Sequence, residues 1–287
     1  MTEVNRALVS IIIRAYNVER YIKEAIKSAM KQEFSELIIC YDLGSSDQTF
    51  ERVMEALKEG QSPNKKFKLV IHPHVTPFRS LLHGIINAKG DYIAFLDGDN
   101  IFPDNYIKEM LHFIFKTGSN FVFCKAKLID EKGKDLNKIL REIPRDYYNI
   151  NNLFLNNFVD ISTIIVSKNC FKEFLVKMYR ILNKAYLSWL YEDWFMALLA
   201  TNNHVINYNC NLEVKYRVHS SNITFGSITS FNKLKLKIKR IYKTLIAFLI
   251  ADWPNIKFCS KFILVLIIIF TPLILITQKF LNLKILS

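Results

Sequence analysis

The sequence predicts an α/β fold: a mostly parallel central sheet with helices on its flanks. Three observations predict it. Apolar runs without polar alternation recur at 8–14, 36–41, 67–72 and 92–96, and such runs read as strands buried on both faces. The segments between them carry apolar residues at helical spacing. The fourth run, Tyr92-Ile93-Ala94-Phe95-Leu96, ends in Asp97-Gly98-Asp99-Asn100. Two carboxylates at the carboxyl end of a strand lie where open α/β sheets place their ligands, and such a pair can hold a hard divalent cation.

The elements follow in order. After the strand at 8–14, residues 19–31 form a helix with Tyr21, Ile22, Ala25, Ile26, Ala29 and Met30 on one face. The strand at 36–41 leads into the turn Asp42-Leu43-Gly44-Ser45-Ser46-Asp47 and a helix through Phe50, Val53, Met54 and Leu57. Gly60 to Asn64 is a loop, 67–72 the third strand, 78–88 a helix and 92–96 the fourth strand. This alternation implies right-handed crossovers. Pro103-Asp104 opens a helix with Ile107, Met110, Leu111 and Ile114 on its core face. Residues 120–128 read as a strand and Asp130 to Gly133 as a turn. No motif is readable from 134 to 190, where the Asn- and Tyr-rich run at 147–157 is either an acceptor loop or a polar connection. Residues 192–201 read as a helix, and 204–208 and 212–218 as two short strands. There is no internal repeat.

The chain has 287 residues, 51% of them hydrophobic, which suffices for a sizeable core. Its net charge of +13 suggests an anionic partner: phosphates, nucleic acid or an acidic membrane surface. Five scattered cysteines with no C-x-x-C pair argue against a disulfide framework and a structural zinc site, and fit a reducing compartment. Met1 to Arg6 is short and polar and runs straight into a strand, so no signal peptide is expected.

Past Ser230 the composition changes. Leu234, Ile238, Ile241, Tyr242 and Leu245 share one helical face, and lysines with Arg240 cover most of the rest. Such a basic amphipathic helix suits an anionic membrane surface, or packs on the domain as a solvated helix. Phe262 to Thr277 carries no charge and is interrupted by Pro272. It is shorter than the roughly 20 residues of a straight span, so a tilted span, a re-entrant hairpin and a helix buried against another chain all stay open. If it spans, the preceding basic stretch places the main domain in the cytoplasm. Three parts result: 1–125, 126–230 and 231–287, the last a membrane-associating helical tail.

Four landmarks stand in order: Val9 to Asn17 followed by Glu19, Asp42 to Asp47, Ala88-Lys89-Gly90-Asp91-Tyr92 leading to Asp97-Gly98-Asp99, and Glu192-Asp193-Trp194. Together they resemble family 2 glycosyltransferases, from about Ser10 to His219. The resemblance implies the GT-A fold (Rossmann-like) and an inverting transfer from a nucleotide sugar, with 1–125 as the nucleotide-sugar-binding half and 126–230 as the acceptor-binding half with the catalytic base. It implies that Asp97, Gly98 and Asp99 hold the donor. Asp99 would ligate a Mg2+ or Mn2+ on the diphosphate, and Asp97 would lie nearer the ribose or a metal-bound water. It implies Asp193 as the general base, with Glu192 in support. Asp42 would meet the nucleobase edge, with Ala15, Tyr16 and Glu19 around it. Arg217-Val218-His219 resembles the family's R-x-H: His219 would join the metal or the diphosphate, and Arg217 would neutralise phosphate.

Plainer readings stand beside these. Asp-Gly-Asp-Asn is rich in turn formers. Acids favour a helix N-terminus. Asp42 and Ser45 suit a turn and a cap. Trp189 and Trp194 could stack on a sugar or serve the core. The sequence also departs from the family at Leu43, where a second acid is usual, and at Leu81 and Leu82, where Arg-Asn is frequent. Arg79 either replaces that arginine or is an ordinary surface residue.

The expected function is transfer from a UDP-sugar to a glycan or lipid-linked acceptor in envelope polysaccharide synthesis. It would take place at the cytoplasmic face of a membrane held by the tail, with the oligomeric state open. No nucleic-acid motif accompanies the charge, so no nucleic-acid partner is expected. Nucleotidyl transfer would need a glycine-rich phosphate loop, and Ala15 to Glu19 has no glycine. A non-catalytic binding protein is kept open by Leu43, Leu81 and Leu82, and opposed by the intact Asp97, Asp99 and Asp193.

Overall fold

The structure, a computed structural model, describes residues 7–60, 66–145, 147, 153, 157–182, 190–203, 205–220, 222 and 231–252. Its first half is the expected alternation: β1 (Val9–Ala15), α1 (Ile22–Met30), β2 (Glu36–Asp42), α2 (Thr49–Glu59), β3 (Lys66–His72), α3 (Pro77–Asn87) and β4 (Tyr92–Asp97). Then come α4 (Tyr106–Thr117), β5 (Phe121–Ile129), β6 (Asp135–Ile139), β7 (Ile164–Ser167), α5 (Lys168–Leu182), α6 (Glu192–Asn203), β8 (Ile206–Arg217) and α7 (Phe231–Asp252).

Among the described residues one eight-stranded sheet runs β3-β2-β1-β4-β7-β5-β6, with β8 also pairing β5. β1 is parallel to β2 and β4, and β2 to β3. The chain moves outward from β1 to β3 and then returns to β4 on the other side of β1. The crevice between β1 and β4 is therefore the topological switch point, the place where such sheets bind ligands. β7 is antiparallel to both β4 and β5. β5 crosses the 125/126 boundary, so the two expected halves share one sheet.

Side-chain alternation explains the burial on both faces. From β1, Ile12 packs with Phe95, Phe123 and α3, whereas Ile11 and Ile13 pack with α1 and with Tyr106 and Ile107 of α4. Leu81 and Leu82 lie in the first of these cores, so the two departures at 81 and 82 are packing residues of α3. Each core-facing Leu or Ile contributes on the order of 1.5–3 kcal/mol.

Several elements differ from expectation. α1 starts at Ile22, after a turn in which Val18 O accepts from both Tyr21 and Ile22 N–H at 2.9 Å. α4 starts at Tyr106, because Asn105 takes a left-handed conformation (φ 58°), which asparagine tolerates. The two short strands expected near 204–208 and 212–218 are one strand, β8, over Ile206–Arg217. Its register against β5 jumps from Cys124↔Asn209 to Lys125↔Glu213, looping out 210–212, so the polar run there is a bulge within a strand. β6, β7 and α5 come from the stretch that showed no motif.

The larger change concerns the C-terminal helix. Leu245, Ala247, Phe248 and Ala251 are buried in the core that holds Trp194 and Phe195 of α6. Leu245, expected on the membrane-facing stripe, is at 0% exposure, and Ile241 packs against the same core. From Arg240 onward the helix therefore packs on the domain. No described helix is long and apolar enough to cross a membrane, and the run Phe262 to Thr277 lies outside the described residues.

Candidate active site

The site is built on the carboxyl ends of β1, β2 and β4. Arg14 and Asp97 are register partners across the β1–β4 crevice. Arg14 Nε and Nη2 donate to Asp97 Oδ1 at 2.8 and 2.5 Å, and its Nη1 donates to Glu192 Oε1 at the start of α6. One arginine thus joins the Asp97-Gly98-Asp99 loop to the Glu192-Asp193 pair. No sequence motif assigns Arg14 a role. The signal was there: a cation next to the end of a mostly apolar buried strand.

Gly98 is required by close approach. A Cβ there would lie 2.6 Å from the Arg14 carbonyl oxygen, a backbone atom that cannot step aside. Burial pushes the Asp97 carboxyl up to about 6; Arg14 opposes this and the charge of Asp99 reinforces it. The loop hangs on Ser162, whose Oγ accepts from Asp97 N–H at 3.0 Å and from Asn100 Nδ2 at 2.9 Å. Beside it, burial and then the charges of Asp97 and Asp193 push the Asp160 carboxyl up to about 7.

β8 delivers the other side of the loop. Ile101 and Lys215 exchange backbone hydrogen bonds at 3.0 Å, which sets the end of the strand against Asp99. Arg217 is buried, donating to Asp99 O (3.0 Å), Glu131 O (3.0 Å), Asp130 O (3.3 Å) and Glu24 Oε2 (2.5 Å). It therefore shapes the loop from behind. The expectation that it neutralises phosphate fails because its guanidinium is spent on these acceptors and is 1% exposed. His219 Nε2 lies 2.9 Å from Asp99 Oδ2, with Asn222 Nδ2 at 3.4 Å from the same oxygen, and the His219 ring packs on Tyr21.

Asp99 and His219 thus face one another as a carboxylate oxygen and an imidazole nitrogen. No group of three or more metal-ligating side chains is found among the described residues. Together Asp99 and His219 offer one carboxylate oxygen and one imidazole nitrogen, too few to hold a cation without further ligands such as diphosphate oxygens and water.

Asp193 opens α6. Its Oδ1 accepts from Trp194 N–H at 2.7 Å and Asn157 Nδ2 at 3.1 Å, and its Oδ2 lies 3.8 Å from Arg141 Nη1. Burial raises its pKa; Arg141 opposes this and Glu192 adds to it. Glu192 goes the other way: burial disfavours its charge, but Arg14 and then Arg240 outweigh that and hold it below its ordinary range. Asn157 and Arg141 come from the stretch without motifs and were missed. Trp194 is buried, and its Nε1 donates to Leu153 O, so it serves the core. Trp189 lies outside the described residues.

Ala15 ends β1, buried beside Tyr41 of β2. Asp42 at the end of β2 is 3% exposed; it accepts from Gly44 N–H at 2.8 Å and sits 3.2 Å from His74 Nδ1. Tyr16 packs on His74 with ring centroids 5.0 Å apart, and both rings are exposed. His74 is a further residue the sequence did not single out. Glu19 is spent on the start of α2: Oε2 accepts from Gln48 N–H at 2.8 Å, and its own N–H donates to Asp47 at 3.0 Å. Leu43 is exposed, and Arg79 is exposed on α3.

The family model described as Glycosyl transferase family 2 matches residues 10–175, more than half of the chain. The chain belongs to glycosyl transferase family 2. A relative in Haemophilus influenzae, an uncharacterized glycosyltransferase, is 28% identical over 175 residues, covering 58% of this chain and 65% of its own. The Escherichia coli UDP-Glc:α-D-GlcNAc-diphosphoundecaprenol β-1,3-glucosyltransferase WfgD is 26% identical over 234 residues, covering 79% and 83%. Among solved structures, the mannosyltransferase PcManGT of Pyrobaculum calidifontis, in complex with GDP-Man and Mn2+, superposes with a TM-score of 0.58 at 12% identity. That match covers 84% of this chain and 63% of PcManGT. It shows the GT-A-like fold. The family 2 match ends at residue 175, so Asp193, His219 and α7 lie beyond it.

Proposed function

We propose that the protein is an inverting glycosyltransferase that moves a sugar from a UDP-sugar to a hydroxyl of a lipid-linked or envelope-glycan acceptor. The observation that carries this is the Arg14 clasp. It sets a donor-side acid pair and a helix-opening acid pair side by side at the switch point of the sheet. The name of the Escherichia coli relative supports a UDP-sugar and a diphosphate-linked lipid acceptor. The Mn2+ complex of the archaeal neighbour supports a divalent cation.

The residues divide the work. Asp99 and His219 would hold Mg2+ or Mn2+, which when bound supplies Lewis-acid stabilisation of the leaving diphosphate. Asp97, held by Arg14, meets the donor beside it. Tyr16 and His74 offer ring faces next to Asp42 for the nucleobase. Asp193 takes the acceptor hydroxyl proton as that oxygen bonds to the anomeric carbon and the bond to the nucleoside diphosphate breaks. The raised pKa of Asp193 suits it as a base.

The test is a panel of nucleotide sugars with a polyprenyl-diphosphate-linked sugar as acceptor, scored for nucleoside diphosphate release. Release is expected with a UDP-sugar, to stop on chelation, and to be absent in Asp99→Asn. Equal release in chelator would remove the metal assignment, and silence across the panel would remove the transferase reading.

The tail beyond α7 is the proposed membrane contact, placing the reaction at the cytoplasmic face. A chain ending at Asp252 keeps the α7 packing and is expected to lose sedimentation with anionic vesicles. Unchanged sedimentation would discard the tail as the anchor.

A further inference from the structure

We propose that Arg240 of α7 is a positioning residue for the Glu192-Asp193 pair, which makes the C-terminal helix part of the acceptor-side machinery. This rests on the reading of Asp193 as the base.

Two residues of α7, one helical turn apart, grip the segment just before Glu192. Arg240 is buried; its guanidinium stacks 4.0 Å from the Tyr191 ring centroid, and Nη2 donates to Leu190 O at 3.4 Å. Thr244 Oγ1 accepts from Tyr191 N–H at 2.8 Å and donates to Arg240 O at 2.9 Å. Residues 190 and 191 are thus tied to α7 through a backbone N–H, a backbone carbonyl and a ring. Glu192 and Asp193 follow directly. Their helix shares its apolar core with Leu245 and Phe248, so α6 and α7 are held together below the site as well.

The polar atoms left over point the same way. Glu192 Oε1 is taken by Arg14, whereas Oε2 is buried with no hydrogen-bond partner, and so is Arg240 Nε. Burying an arginine is unfavourable unless acids compensate it. An apolar side chain would fill the same space between Tyr191 and the core without that cost. The charge of Arg240 acts on both Glu192 and Asp193, favouring their ionised forms. Stacking on Tyr191 fixes the guanidinium plane and favours the cation there. The groups around Asp193 are then Glu192 on its own helix, Arg141 and Asp160 from the β6–β7 connection, and Arg240 from α7. Of these, Arg240 alone also grips the backbone that presents the base.

The test is steady-state kinetics on the full chain for Arg240→Met, Arg240→Lys and Thr244→Val. Arg240→Met is expected to lower kcat by about 10–100-fold, the scale of a displaced catalytic group, with the donor KM unchanged. The acidic limb of its kcat profile should move to higher pH, because a cation that favours ionised Asp193 is gone. Arg240→Lys should restore part of kcat and return the limb toward the wild-type position. Thr244→Val removes the acceptor for Tyr191 N–H and the donor to Arg240 O but no charge, and should lower kcat with no movement of the limb. An unshifted limb and unchanged kcat in folded Arg240→Met would overturn the inference, as would losses that track the folded fraction in a thermal melt. An active wild type with a dead Asp193→Asn and an unaffected Arg240→Met would sink this inference alone. A fully active Asp193→Asn would instead sink the reading on which it rests.

Discussion

Asp193→Asn is expected to lower kcat by about 10²–10⁴-fold, the range that general-base catalysis supplies, with the donor KM unchanged. The substitution is nearly isosteric. Asn Oδ1 can still accept from Trp194 N–H and Asn157, the contacts that hold the carboxyl in place. What disappears is the capacity to take a proton. The wild-type rate should fall on the acid side as Asp193 protonates, and above the ordinary carboxylate range, because burial raises its pKa. Arg141 pulls the other way, so Arg141→Met should move that limb to still higher pH. A rate that survives in Asp193→Asn, or a donor KM that rises in step with the loss, would end the assignment.

Arg14→Met is expected to cost about 3–5 kcal/mol of stability at neutral pH, the penalty for stripping the partner from buried charges. It leaves Asp97 and Glu192 without their cation, and only Asp97 has a partly exposed side chain to fall back on. The pH dependence has a definite sign. In the wild type the Glu192 pKa is depressed, so its contribution is present above the ordinary carboxylate range and is lost as pH falls through the folded value. Without Arg14, burial raises Asp97 further and Glu192 keeps only the weaker pull of Arg240, so the penalty shrinks as the two acids protonate. The deficit of the variant should therefore be widest at neutral pH and narrow on acidification. Urea unfolding midpoints at neutral and mildly acidic pH would check this; equal deficits at both would mean that Arg14 acts through packing alone.

The first half of the fold was legible because its physics is local. Buried parallel strands leave apolar runs such as Ile11-Ile12-Ile13, and their helices leave apolar faces at helical spacing. The D-x-D loop was legible because acids at a strand end interrupt such a run. The stretch from 134 to 190 was not, because β7 has only four residues and is a strand by virtue of filling the gap between β4 and β5. Ser162, Asn157 and Arg141 matter through contacts made across long sequence separations, which no window of residues records. α7 misled for a related reason. An amphipathic helix declares an apolar face but not what covers it, and here the cover from Arg240 onward is the protein's own core.

The distances along the chain at which the site is fastened set how it can be made. Arg14 reaches Glu192 across 178 residues, Asp99 reaches His219 across 120, and Arg217 reaches Glu24 across 193. Loop-closure entropy grows only logarithmically with length, so such fastenings are thermodynamically tolerable. They cannot, however, be assembled in instalments. A ribosome that has released residues 10–175 has exposed the whole family-matched segment, Asp97 and Asp99 included, yet Glu192, Arg217 and His219 do not exist until later. The nascent chain can therefore pair Asp97 with Arg14 early, but it carries Asp99 for 120 further residues before His219 exists.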